Sequence, residues 1–175
     1  MGQVSPDKAA GRRHAVLESA LLIAVTVLWV ALDQTAKAAA SALPEGGYGG
    51  SILGGLIEFR IVHNTGAAWG IFEGNPAALG AFSLVVCCLL LAYFAVSIRT
   101  INTVQTVGIA LVAAGGIGNA IDRFSQGYVI DFFAATFIDF PVFNVADIGV
   151  TCGVVILLAG LALSWYREAK QGADR

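Results

Sequence analysis

The chain has 175 residues, 57% of them apolar and only 13% charged, with 10 Lys and Arg against 12 Asp and Glu and a formal net charge of −2. The charged share is about half that of an ordinary soluble domain, and a water-soluble globule of this length has too little interior to hide so much apolar surface. The same arithmetic excludes a disordered chain, and with no basic cluster there is no nucleic-acid footprint, so no nucleic-acid partner is expected.

A helix needs about 20 largely apolar residues to cross the ~30 Å hydrocarbon core of a bilayer. Four segments meet this, predicting transmembrane helices over 17–40, 77–98, 101–121 and 147–166 of a single membrane domain, 1–175. Lys8, Arg12 and Arg13 precede the first span, Arg99 lies in the link between the second and third, and Arg167, Lys170 and Arg175 follow the fourth. By the bias of Lys and Arg toward the cytoplasm, the polar tails 1–14 and 167–175 are both cytoplasmic. Lys37, Arg60 and Arg123 then fall outside, together with eight of the acids. The basic start, the apolar run and Ala38-Ala39-Ala40-Ser41-Ala42 look like a cleavable signal peptide, but Asp33 and Lys37 interrupt the pattern, and the segment is read as a retained span.

Between the first two spans, 41–76 reads as a small outer β-cradle. A Gly-rich stretch, 44–50, leads into Ile57, Phe59 and Ile61 alternating with Glu58, Arg60 and Val62, the period of a half-buried strand. The following turn-like run ends on Trp69, an aromatic suited to the membrane interface. The segment 122–146 reads as an outer loop containing the apolar stretch around Asp131. Cys87, Cys88 and Cys152 read as small packing residues. His14 and His63 lie on opposite sides of the membrane, so no metal site is expected.

The polar residues at the outer ends of the spans carry the chemistry. Asp33 and Lys37 are i,i+4 on one helix face, either an ion pair closing the helix or groups turned toward a protein interior. Asn119 and Asp122 are i,i+3, with Arg123 placed to offset an acid at a helix C-terminus. Asn144 and Asp147, also i,i+3, have the spacing of a capping box. Asp131 has no such structural account. It stands among Val129, Ile130, Phe132 and Phe133, and burial raises a carboxyl pKa. If the loop brings Asp147 beside it, the two share one proton, the arrangement by which aspartic proteases activate water.

Five motifs occur in order: Asp33-Gln34-x-x-Lys37, Asn64-Thr65-Gly66-Ala67-Ala68-Trp69, Gly118-Asn119-x-x-Asp122-Arg123, Val129-Ile130-Asp131-Phe132 and Phe143-Asn144-x-Ala146-Asp147. Together, over nearly the whole chain, they resemble the bacterial lipoprotein signal peptidases, also called type II signal peptidases, which commonly have Phe where this chain has Trp69. The resemblance implies an α-helical integral membrane protein of four transmembrane helices with an outer β-cradle and an outer active-site loop. It implies Asp131 and Asp147 as the catalytic pair. It also implies Asp33, Lys37, Asn64, Gly66, Asn119, Asp122, Arg123 and Asn144 as residues that position the pair or contact substrate. The implied activity is removal of signal peptides from diacylglyceryl-modified prolipoproteins, just before the lipidated cysteine. It proceeds through activated water with no metal or organic cofactor. Membrane lipid is the other expected partner, and the expected state is a monomer in the bacterial inner membrane with its active site at the outer leaflet. A small proton-coupled carrier is the alternative from another class, and a non-catalytic scaffold a third. Carriers, however, gather their polar groups near the midplane between repeated halves.

Overall fold

The computed structural model describes residues 6–66 and 74–173; Ala67, Ala68, Trp69, Glu73 and Arg175 lie outside the described residues. In chain order the elements are α1 (Pro6–Ala40), β1 (Tyr48–Ile52), a single 3₁₀ turn (Leu53–Gly55), β2 (Ile57–Asn64), α2 (Pro76–Ser97), α3 (Thr103–Ser125), β3 (Val129–Ala135) and α4 (Val145–Ala173). All four α-helices are long and apolar enough to cross a membrane.

The helices form a bundle around α3, which packs against α1, α2 and α4. Its small residues permit the closest of these contacts, because lipid supplies no hydrophobic drive between helices and close backbone packing must replace it. A Cβ added at Gly108 would stand 2.6 Å from the backbone nitrogen of Leu157 on α4, and one at Gly153 would stand 2.8 Å from the carbonyl oxygen of Gly108. The outward faces of the other helices are apolar: Leu17 and Leu28 on α1, Phe82 and Leu89 on α2, and Leu158 and Trp165 on α4 are all exposed. A surface of this kind faces lipid rather than water.

Two opposite ends of the bundle are recognisable. At one, Asn102 caps α3 and donates to the Gly160 carbonyl (3.0 Å) and to Ser164 Oγ (2.9 Å) of α4, and Thr103 Oγ1 donates to Glu18 Oε1 of α1 (2.8 Å). This end carries Arg12, Arg13, Arg99, Arg167 and Lys170. The other end carries an antiparallel sheet of order β1–β2–β3. Val62 pairs with Asp131 and Asn64 with Val129, after an irregularity between Phe59 and Val62 that places one extra residue on β2. Ile61, Ile130, Phe132 and Val145 form a buried cluster, with Trp29 and Ala36 of α1 packed against it, so sheet and helices share a core.

The element boundaries differ from the sequence expectation in four places. α1 begins at Pro6, inside the expected tail 1–14, because the added residues are mostly good helix formers. α4 continues through 167–173 for the same reason. α3 runs to Ser125, so Asp122 and Arg123 lie on the helix and not in an outer loop beginning at 122; the helix stops where Gly127 supplies a positive φ of 81°. The remainder of the expected loop contains β3, whose β-branched and aromatic residues pair with the edge of β2. The expected cradle, 41–76, provides the other two strands.

Candidate active site

Three helix ends and two strands converge at the sheet end of the bundle. Lys37, 2% exposed, is held at 2.9 Å from Asp33 Oδ2, 3.0 Å from Asp122 Oδ2 and 2.9 Å from Asn119 Oδ1. An ammonium has three protons and no acceptor, so the three partners satisfy it completely. Asp33 spends its other oxygen on the Ala146 N–H in the first turn of α4 (2.8 Å), where a helix has unpaired donors. Asp122 accepts from the Ile130 N–H (3.2 Å), tying α3 to β3. This cluster joins α1, α3, α4 and the sheet.

Lys37 also fixes the orientation of the neighbouring amides. Because it only donates, Asn119 must present its oxygen to it, which turns Asn119 Nδ2 onto Asp147 Oδ1 at 2.8 Å. Asn144 is likewise fixed. Its Oδ1 accepts the Asp147 N–H (2.9 Å) while Asp147 Oδ2 accepts the Asn144 N–H (3.1 Å), the reciprocal pair of a capping box. The Asn144 amide nitrogen therefore points to Asn119 Oδ1 (3.0 Å) and Asp131 Oδ1 (2.7 Å). On the far side, the Gly66 N–H donates to Asn64 Oδ1 (2.9 Å), leaving Asn64 Nδ2 to donate to Asp131 Oδ2 (2.9 Å). Arg123 donates from Nη2 to the Gly66 carbonyl at 3.0 Å, and its buried Nε has no hydrogen-bond partner among the described residues.

Asp131 and Asp147 thus each accept two hydrogen bonds of the roughly four a carboxylate can take, and both line one cleft of about 1070 Å³ between α2, α3, α4 and β3. Leu79, Phe82, Phe143 and Ile148 make much of its wall apolar; Asn64, Asn119 and Arg123 stand with the carboxyl groups. Burial pushes the Asp131 carboxyl up to about 7, the nearby Asp147 charge adds to that, and the Asn64 and Asn144 amides oppose it. Such a group holds a proton near neutral pH and can exchange it. Among the described residues no group of three or more His, Cys, Asp or Glu is placed to hold a metal ion.

A family model described as signal peptidase (SPase) II matches residues 25–163. The chain belongs to the signal peptidase II family. It is 40% identical over 147 residues to the lipoprotein signal peptidase of Parasynechococcus marenigrum, covering 84% of this chain and 92% of that one. Against the lipoprotein signal peptidase of Lactiplantibacillus plantarum it is 38% identical over 141 residues, covering 81% and 93%. Among solved structures it is similar to a bacterial membrane enzyme determined by the in meso method at 2.3 Å, with TM-score 0.72 and 31% identity, covering 81% of this chain and 87% of that one. As a signal peptidase II, the protein is a multi-pass membrane enzyme and an aspartic peptidase.

The ten residues singled out in the sequence all come together at the sheet end of this signal peptidase II: Asp33, Lys37, Asn64, Gly66, Asn119, Asp122, Arg123, Asp131, Asn144 and Asp147. Two others were given no role, although Gln34 stands in the first motif. The Gln34 amide reaches Asp122 Oδ1 (3.2 Å) and the Gly118 carbonyl (3.3 Å), and Trp29 Nε1 donates to the Val145 carbonyl (3.1 Å). The signal for both was a polar group on an otherwise aliphatic helix, one residue after and four residues before Asp33.

Proposed function

We propose that the enzyme removes signal peptides from diacylglyceryl-modified prolipoproteins by hydrolysis at the Asp131–Asp147 pair, cutting just before the lipidated cysteine. The observation that carries this reading is the single cleft shared by two carboxyl groups whose surroundings are fixed by Asn64, Asn119 and Asn144, with one of them raised to about 7. The pair holds one proton between its members and titrates as a unit. The ionised carboxylate takes a proton from water as the hydroxide oxygen bonds to the scissile carbonyl carbon. The protonated carboxyl donates to the carbonyl oxygen. Collapse of the tetrahedral intermediate then returns a proton to the leaving nitrogen, and no covalent enzyme intermediate forms. Arg123 lines the cleft while one of its guanidinium nitrogens holds the Gly66 carbonyl, so the remaining guanidinium donors are placed to hold a main-chain carbonyl of the substrate.

The apolar wall suits a substrate that carries its own acyl chains. Lipid anchoring presents the scissile bond at a fixed depth and so removes part of the entropic barrier. The ten site residues complete their hydrogen-bond network within one chain, which supports a monomer as the working unit. The basic residues at the end opposite the sheet support cytoplasmic termini and a cleft opening at the outer leaflet of the inner membrane.

The direct test is cleavage of a lipidated precursor by purified protein in detergent. Asp131→Asn and Asp147→Asn should each lower the rate by at least ~10²–10⁴-fold with the fold intact. Asp139→Asn, on an exposed residue that is not part of the cleft lining, should cleave normally. Near-normal cleavage by either of the first two variants would remove that residue from the pair.

A further inference from the structure

The register Ile57↔Ala135 brings the turn between β1 and β2 to the same end of the sheet as the segment that follows β3, at the end of β2 away from Asn64. Thr136 clips the two together: its Oγ1 donates to the Gly55 carbonyl at 2.7 Å and its N–H to the Leu56 carbonyl at 3.1 Å. The clipped tip turns Leu53 (71% exposed), Leu56, Phe137 (62% exposed) and Ile138 outward. Leu53 does so from a left-handed backbone, φ 53°, a conformation a branched side chain rarely takes. Such an outlier points from structure to function. No charged side chain occurs from 46 to 57 or from 132 to 138, whereas Glu58 and Arg60 follow directly along β2. A rigid, uncharged cluster of large apolar side chains marks an interaction surface.

We propose that this tip is a lipid anchor, inserted among the acyl chains of the leaflet that adjoins the cleft. Lipid is the occupant because the protein is a membrane enzyme and the side chains the tip turns outward are apolar bulk, with the charges of Glu58 and Asp139 only at its margins. The chain leaving the tip also leads within a few residues to Phe140 and Phe143, which line a cleft between membrane-spanning helices. The anchor sets the depth of β2 and β3, and with it the depth of Asn64 and Asp131, relative to the bilayer.

Nitroxide labels on Leu53→Cys and, separately, Ile138→Cys report this directly. The labels go into a Cys88→Ser, Cys152→Ser background in which the remaining Cys87 is buried, and the protein is reconstituted in phosphatidylethanolamine–phosphatidylglycerol vesicles. Both labels should collide with oxygen several times more often than with a water-soluble nickel chelate, and a label on exposed Arg60→Cys should show the reverse. Nickel access at the tip equal to that at position 60 overturns the proposal. Spectral broadening that lifts on dilution with unlabelled protein also overturns it, by placing a second copy of the chain on the patch. The measurement needs no cleavage, so an Asp147→Asn protein gives the same answer and the outcome is independent of the catalytic reading.

Discussion

Lys37 shows why charged groups persist inside this bundle. Three protons meet three acceptors, and two of those acceptors, Asp33 and Asp122, also cap α4 and hold β3. Lys37→Met keeps the length of the side chain but leaves two buried carboxyl groups without their cation. Removing one member of a buried ionic cluster typically destabilises by ~3–5 kcal/mol, so the melting temperature in detergent should fall sharply and cleavage should be lost with it. An unchanged melting temperature would mean the cluster does not hold the helices together. Asp131 gives a prediction of the opposite kind. Its carboxyl is raised to about 7, so the folded enzyme holds a proton that the unfolded chain, with a pKa near ~3.9, has released. Stability therefore decreases as pH rises from about 4 to about 7, where the penalty is complete. Cleavage loses its proton donor over the upper part of that range. A pH series should show kcat/KM with an alkaline limb near 7, falling tenfold per unit beyond it; a rate flat to pH 9 would contradict a proton held at the pair. Asp131 was legible in the sequence because no local motif accounts for an acid among Val129, Ile130, Phe132 and Phe133. The partners of Gln34 and Trp29 were not, because they lie 84 and 116 residues away and local spacing carries no trace of them.

Among the elements, the α3–α4 contact positions the pair. α3 brings Asn119 and α4 brings Asp147, joined at 2.8 Å, and the glycines at 108 and 153 set the distance between the two backbones. Gly108→Leu would drive a side chain into the backbone at Leu157 and part the helices. The expected result is protein that still inserts but cleaves about 10²-fold more slowly, a loss of the size expected when catalytic geometry shifts by about 1 Å. Gly11→Ala, whose new Cβ meets nothing within 4 Å, should cleave at the wild-type rate; equal activity of the two variants would remove helix spacing as the determinant. The four spans were legible from length and apolarity, and the capping box at Asn144 from its i,i+3 spacing. β3 was not, since its partner β2 is some 67 residues distant across α2 and α3. A strand without an adjacent turn and neighbour has the pattern of an apolar loop. The i,i+3 spacing of Asn119 and Asp122 places both at the outer end of α3, but the expected span stops at 121, because a charged residue reads as the limit of an apolar helix; Asp122 is neutralised by Lys37 inside the bundle and the helix continues to Ser125.

At the scale of the whole molecule, one asymmetry decides how the enzyme meets its substrate. The end of the bundle bearing Arg12, Arg13, Arg99, Arg167 and Lys170 has no buried ion pairs among its described residues. Lys37, at the opposite end, is neutralised where it lies. Cations free to interact with the insertion machinery orient a membrane protein, and those consumed in internal pairs are masked; basic flanks of short loops stay in the cytoplasm. The charge distribution therefore predicts that both termini face inward and that the cleft opens outward, toward precursors whose signal peptides have crossed. A tag placed after the C-terminus should survive protease added to intact spheroplasts and be removed only once the membrane is broken. Digestion in intact spheroplasts would invert the molecule, bring the Asp131–Asp147 cleft to the cytoplasmic leaflet, and require cleavage before translocation. The lipid anchor proposed at the sheet tip would then lie in that leaflet as well, because tip and cleft belong to the same end of the bundle.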